Sequence, residues 1–276
     1  MNEDKTLEQI SENEMFELMK TLIVKAGKET LTYFGKTDLN FTTKKHAADL
    51  LTEADLASNT TLIDGIKEIY PGHGIISEEE PVQDDKKKYV WIIDPLDGTN
   101  NFKNSIPIYS VIVGLAKQNQ NKELEMIAGA VYIPALNELY QASMGNGAFL
   151  NDKRIVCSPK EDLVNAVGAG HFENWFKYEK QVKAFFESSK ELKHYLFEYG
   201  TGGYDMTLVA RGSRDFYFMP PHGGGIWDNA GPYIILKEAG CKVVNFRREN
   251  WSLKDNTEMI AGNPKIVDHI FDVIGK

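Results

Sequence analysis

The chain has 276 residues, with 31 Lys and Arg against 40 Asp and Glu, a net charge of −9. That balance argues against a nucleic-acid binder, which needs a basic footprint; 42% hydrophobic and 26% charged residues exclude wholesale disorder. At roughly 150 residues per domain the length predicts about two lobes, enough to bury a core without a disulfide or metal staple.

Two cysteines, Cys157 and Cys241, form no disulfide framework and lack zinc spacing, which points to thiols in a reducing compartment. The first residues are acidic, unlike a secretory signal. The longest apolar stretches, such as Tyr109 to Ala116 with Ser110 interrupting, fall short of the roughly 20 residues of a membrane span. The expectation is a cytoplasmic protein with neither nucleic-acid nor membrane partner.

Residues 5–35 read as a helix, because Met15, Met19, Leu22 and Ala26 recur at helical spacing. Residues 53–69 read as a second, with Leu62, Ile66 and Ile69 on one face and Tyr70-Pro71-Gly72 ending it. Ile75-Ile76 is a short apolar pair, and 81–88 is a polar loop of mixed charge. Residues 89–93 have the length and apolarity of a buried strand that stops at Asp94-Pro95. Further strands are expected at 109–115, 127–133 and 138–141, with a tight turn at Gly145-Asn146-Gly147, where Asn-Gly tolerates positive φ. Beyond residue 155, segments 165–169, 174–189, 213–218, 227–239 and 242–246 alternate strand and helix. The expected organisation is an α+β lobe over 1–155 and an α/β lobe over 156–276.

The informative feature is the placing of carboxylates. Asp94 and Asp97 stand three residues apart at the end of an apolar strand, where they repel one another and lose hydration unless a cation neutralises them. Turn chemistry and a helix cap are the competing reading, since Asp-Pro and Asp-Gly are common in turns. Glu78-Glu79-Glu80 follows Ile75-Ile76 and reads alternatively as a solvated charge run. Asp228 opens an apolar-periodic segment and reads alternatively as an N-cap. Asp49 to Asp55 precedes the second helix, which Asp49 or Thr52 would cap. Taken together, these segments supply hard oxygen ligands without His or Cys at metal spacing, which favours Mg²⁺ or Mn²⁺ over zinc. Magnesium held by several carboxylates is suited to phosphoryl chemistry.

Trp91-Ile-Ile-Asp94-Pro-Leu96-Asp97-Gly98-Thr99-Asn-Asn-Phe102 resembles the DPxDGT signature of the inositol monophosphatase family. Asp49-Leu-Leu-Thr-x-x-Asp55 is similar to its upstream DLVTxxD element, and Ser77-Glu78-Glu79 to its GEE element with Ser in place of Gly. Trp227-Asp228-Asn-Ala-Gly with Lys237-Glu-Ala-Gly240 resembles its C-terminal WDxAG…EAG element. The resemblance spans about residues 10–270 and implies a layered α-β-α-β-α sugar-phosphatase fold, α+β and α/β in character.

The resemblance also implies residue roles. Glu78, Asp94 and the Leu96 carbonyl match ligands of a first metal; Asp94, Asp97 and Asp228 match those of a second; Glu78 reaches a third. Asp55 and Thr99 match the pair that orients and deprotonates the attacking water, with Glu78 beside them, and the Gly98 and Thr99 amides match the phosphate cradle. Asp97, Gly200, Thr201 and Gly202 match substrate-side positions, and Lys44 aligns with an upstream basic residue, Lys45 standing next to it. The implied activity is Mg²⁺-dependent hydrolysis of a small polyol or sugar monophosphate, inositol 1-phosphate foremost, with two to three Mg²⁺ or substituting Mn²⁺, lithium sensitivity and a homodimer. Histidinol phosphate, fructose 1,6-bisphosphate and a 3′-phosphoadenosine-type nucleotide are the other substrates, and a non-catalytic regulatory scaffold is the alternative of another class. The family's inositol-binding Glu falls at Met219, which cannot accept hydroxyl hydrogen bonds, and Pro220 to Gly225 is about two residues longer than the family's segment. The six histidines read as surface or loop residues, with His222 near the substrate loop, and Trp175, Phe176, Tyr178, Phe185 and Phe186 read as a helix packing face.

Overall fold

The computed structural model describes residues 11–36, 41–43, 50–80, 84–172, 175–221, 224–254 and 257–275. Lys44, Lys45, His46, Asp49 and His222 lie outside them. Helix α1 (Glu12–Tyr33) starts at a capping box, in which the Ser11 side chain accepts from the Glu14 amide and Glu14 reaches back to the Ser11 amide. Helix α2 (Glu53–Ile69) follows the short hairpin β1 (Phe41–Thr43) and β2 (Leu50–Thr52).

A seven-stranded sheet runs β3 (Gly74–Ser77), β4 (Tyr89–Asp97), β5 (Ser110–Gln118), β6 (Leu124–Ile133), β7 (Glu138–Ser143), β8 (Gly147–Leu150), β9 (Lys153–Ile155), in that spatial order. β3 and β4 are parallel and the rest antiparallel. At the β7–β8 turn the residues with positive φ are Gly145 (80°) and Gly147 (86°), flanking Asn146. Between β4 and β5 lies the short helix α3 (Thr99–Lys103).

A five-stranded sheet follows in the order β11 (Tyr195–Phe197), β10 (Val167–Gly170), β12 (Phe216–Met219), β14 (Met259–Gly262), β13 (Lys242–Val244). Its helices are α4 (Glu179–Leu192), α5 (Gly202–Ala210), α6 (Ile226–Glu238) and α7 (Pro264–Ile274). The alternation expected beyond residue 155 omitted β11, α5, β14 and α7. α5 and β11 are short, and β11 buries little of itself, so neither carries a long period.

The layers stack as α-β-α-β-α, a mixed α+β fold. α1 and α2 cover one face of the seven-stranded sheet through Met19, Ile23, Leu62 and Trp91. α5 and α6 lie between the sheets, where Ile112 and Val131 meet Met206, Ile235, Tyr217 and Met259 in one core. α4 and α7 close the outer face of the five-stranded sheet through Phe185, Phe218 and Ile270. Of the aromatics expected to pack along α4, Phe185 is buried, while Phe176 and Phe186 are 69% and 44% exposed. Two histidines expected at the surface are structural. His73 accepts from the Trp91 indole at 3.0 Å and stacks on Tyr70, and buried His194 bonds Ser188 at 2.8 Å.

Helix α6 sits so close to the seven-stranded sheet that a Cβ on Gly129 would overlap Ile234 and the Gly231 backbone, and one on Gly231 would stand 2.8 Å from Ile112 Cγ2. Only glycine permits that approach, and it sets the height of the α6 N-terminus over the sheet. Pro232 lies inside the helix and cannot donate to the Asp228 carbonyl. Gly129→Ala is expected to lower stability by about 1–3 kcal/mol through overpacking, read as an earlier midpoint in urea unfolding.

Candidate active site

The site grows from the end of β4. Parallel pairing sets Ser77 opposite Ile93, and the Glu78 amide donates to the Ile93 carbonyl at 3.1 Å, which brings Glu78 alongside Asp94. The strand does not stop at Asp94 as the apolar run suggested. It continues to Asp97, with Asp94 opposite Ile112, Asp97 opposite Ser110, and a register shift between them. Pro95 lacks the ladder donor, and the bulge accommodates it. The freed geometry is stitched locally. The Leu96 amide donates to Asp94 Oδ1 at 3.0 Å, Ser58 Oγ of α2 to the Pro95 carbonyl at 2.7 Å, and Thr99 Oγ1 to the Leu96 carbonyl at 3.3 Å.

Gly98 takes φ +89° at the start of α3, a left-handed conformation that a side chain resists. It also stands against the segment 200–203. A Cβ there would meet Thr201 Cβ at 3.0 Å and the Gly200 carbonyl at 3.3 Å. Asp97 Oδ2 accepts from the Ser110 hydroxyl and the Gly203 amide, each at 2.8 Å, and from the Thr201 hydroxyl. Asn101 Nδ2 donates to the carbonyls of Ile108 and Tyr199, both at 2.7 Å, tying α3 to the loop before α5. Asp228 lies in the first turn of α6. Asp55 is 1% exposed in the first turn of α2, one turn before Ser58.

The electrostatics reflect crowding. Burial, then the charges of Glu78, Asp97 and Asp228, push Asp94 well above the usual carboxylate range, against the pull of the Leu96 amide. Burial, then Asp97 and Glu78, push Asp228 up likewise, opposed by the Gly225 backbone and a hydrogen bond with Asp94. Asp97 is raised by burial, partly offset by Thr201, Ser110 and the amides of Gly203 and Gly202. The oxygen donors of these acids suit a hard divalent ion. Among the described residues no three His, Cys, Asp or Glu side chains are disposed to close on one metal ion as they stand.

The structure therefore gathers Glu78, Asp94, Asp97 and Asp228, sets Gly98 and Thr99 against Gly200 and Thr201, and places Asp55 on the helix bonded to Pro95. Met219 stands apart. It is 2% exposed in the core between the sheets, opposite Met259, with its sulfur 3.3 Å from the Tyr217 hydroxyl. Sequence reasoning overlooked Ser110, Asn101, Ser58 and Asp205. Ser110 was legible as the polar interruption of an apolar strand, and Asp205 as an acid opening the apolar run of α5. Asp205 is 1% exposed, its Oδ1 has no hydrogen-bond partner among the described residues, and its Oδ2 accepts from the Tyr199 amide at 3.4 Å. Burial, then the charges of Asp97 and Glu198, push it up to about 8. Cys157 and Cys241 are neighbours, and the Cys241 thiol draws Cys157 below the usual thiol range. Among the described residues no helix is long and apolar enough to cross a membrane.

A layered α+β chain with an acidic cluster between a β4 bulge and the N-terminus of a central helix fits a phosphatase class. The sequence profile of the inositol monophosphatase family matches residues 11–272, and the chain belongs to that family. An inositol-1-monophosphatase of Mesorhizobium japonicum is 29% identical over 95% of this chain and 96% of its own length. A Nus factor SuhB of Pasteurella multocida is 33% identical over 91% of each. The solved Thermotoga maritima IMPase superposes with a TM-score of 0.82 at 28% identity, covering 96% of this chain and 97% of that one.

Two outcomes follow from this geometry. Asn101→Ala removes two partly buried hydrogen bonds and is expected to lower stability by about 1–3 kcal/mol, measured by urea unfolding. Asp205 has a folded pKa near 8 against roughly 3.9 in an unfolded chain. Its protonated form favours folding, so its contribution is full below pH ~4 and is lost as pH rises through about 8. Asp205→Asn should therefore raise the melting temperature at pH 8 more than at pH 5 in metal-free buffer, read by calorimetry.

Proposed function

We propose that the chain hydrolyses the phosphate monoester of a small polyol or sugar, inositol 1-phosphate foremost, with Mg²⁺ held at the acidic cluster. The observation that carries this reading is the gathering of Glu78, Asp94, Asp97 and Asp228 from separate elements, close enough that their charges push Asp94 and Asp228 up. Carboxylates held together at that cost fit a cation-binding role. Glu78, Asp94, the Leu96 carbonyl, Asp97 and Asp228 would hold the ions, drawn together as they bind. When bound, Mg²⁺ supplies charge neutralisation and an acidified water.

The chain's own part is positional. The Gly98 and Thr99 amides, freed by the left-handed turn at Gly98, would receive phosphate oxygens. Thr99, now donating to the Leu96 carbonyl, and Asp55 would orient the water and take its proton. The resulting step is water attack on phosphorus, with departure of the alcohol oxygen on the opposite side. Gly200, Thr201 and Gly202 would flank the alcohol, held in place by the Thr201 and Gly203 bonds to Asp97. A homodimer in the cytoplasm and inhibition by lithium complete this reading.

A second reading rests on the relative named a Nus factor: a scaffold for a protein partner, with turnover secondary. The intact acid set favours catalysis, because a scaffold gains nothing from retaining it.

The deciding experiment is phosphate release from inositol 1-phosphate, histidinol phosphate, fructose 1,6-bisphosphate and adenosine 3′,5′-bisphosphate with and without Mg²⁺. Mg²⁺-dependent release from inositol 1-phosphate is expected, with Asp94→Asn lowering kcat by several orders of magnitude. Release independent of Mg²⁺, or Asp94→Asn at near wild-type rate, would overturn the ligand assignment. Mg²⁺ should also raise the melting temperature of the wild-type protein and not that of Asp94→Asn.

A further inference from the structure

The second sheet contains a place where ligands bind in many α/β proteins. Strands β11, β10 and β12 are parallel neighbours. The connection leaving β10 runs to α4, on the outer face with Phe185. The connection leaving β11 runs to α5, on the inner face with Met206 and Val209. Two adjacent parallel strands whose connections leave to opposite faces open a crevice at their carboxyl ends, the usual ligand position in such sheets.

Across that crevice, His171 follows the last residue of β10 and Glu198 the last residue of β11, and His171 Nδ1 lies 2.6 Å from Glu198 Oε1. Both side chains reach solvent, at 36% and 42% exposure. The pair with His171 is the one side-chain hydrogen bond that Glu198 makes among the described residues, so its second carboxylate oxygen can accept from a ligand. Among the described residues, strand β12 contributes no charged group at the same level. Its end is Met219-Pro220-Pro221, all buried, and Gly170 opposite Phe218 sets the next residue, His171, level with Met219.

The chain runs from this pair directly to the acidic cluster. Glu198 is followed by Tyr199, whose carbonyl accepts from Asn101 at 2.7 Å. Then come Gly200, against Gly98, and Thr201, bonded to Asp97. The charges of Glu198, Asp97 and Asp228 all act on buried Tyr217. Glu198 therefore stands two residues before Gly200, whose carbonyl faces Gly98.

We infer that the His171–Glu198 pair is the specificity determinant for the alcohol half of the substrate, with the Glu198 carboxylate, oriented by His171, accepting hydrogen bonds from neighbouring hydroxyls of a polyol. The inference rests on the reading of the chain as a polyol phosphatase. It assigns hydroxyl recognition to the loops after β10 and β11, because Met219 on β12 has only a weakly accepting thioether, already bonded by the Tyr217 hydroxyl, and lies in the core.

The test compares kcat/KM for inositol 1-phosphate, rich in hydroxyls, with that for phenyl phosphate, which has none. Wild-type protein, Glu198→Gln and His171→Gln are assayed in Mg²⁺ after thermal melts verify folding. In Glu198→Gln the ratio of the two efficiencies should fall roughly ten- to a hundredfold, the scale of a hydrogen bond to a charged acceptor, with the loss in KM for the polyol ester. His171→Gln should shift the same ratio in the same direction by a smaller factor, and carries the test if Glu198→Gln does not fold. An unchanged ratio in both variants, or equal losses on both esters, overturns the inference alone. Wild-type protein that cleaves neither ester, or phenyl phosphate only, overturns the polyol reading and the inference with it.

Discussion

Carboxylates packed against one another in a protein interior repel and have lost their water, and the arrangement of the central layer follows from holding them there. Asp94 and Asp228 come from different layers, β4 and the first turn of α6, and meet only because α6 approaches the sheet at Gly129 and Gly231. That approach needs the absence of two side chains. The same glycines that look like gaps in the core are what bring the acids within reach of each other.

Around this repulsive centre the hydrogen bonds are distributed unevenly. Asp97 is supported by Ser110, Thr201 and Gly203, whereas Asp94 has the Leu96 amide and otherwise faces other acids. Asp97 thus behaves as a fixed corner, joining the β4 bulge to the start of α5. Asp94 and Asp228 are the groups whose ionisation most needs a counter-charge. Local preorganisation of one acid and frustration of its neighbours is the pattern expected where an ion completes a site.

The two sheets divide the proposed labour. The first carries phosphate-side chemistry at a strand bulge and a left-handed glycine. The second presents the ends of β10 and β11, next to the segment that supports Asp97. Such separation lets one hydrolytic apparatus serve different alcohols, because loops at the ends of strands tolerate substitution better than the buried bulge does.

Much of the site was legible in the sequence. Asp94, Asp97, Glu78 and Asp228 each follow or open an apolar segment, and a carboxylate in that context demands an explanation from burial alone. The long helices α1 and α2 and the apolar strands β4 to β6 were readable because their periods are local. Short elements such as β11 and α5 were not, since their stability comes from neighbours distant in the chain. The continuation of β4 through Pro95 was hidden because a bulge against β5 and the Ser58 hydroxyl absorb the missing donor. What the sequence by itself determined was the family, the acids and the order of the layers, all carried by motif and short-range pattern. Only the tertiary structure decided that Met219 turns into the core, that Asp205 is buried beside Asp97, and that His171 meets Glu198 across two strand ends. Those facts depend on which face of a strand packs inward and which connections cross to which side, and no local spacing encodes either.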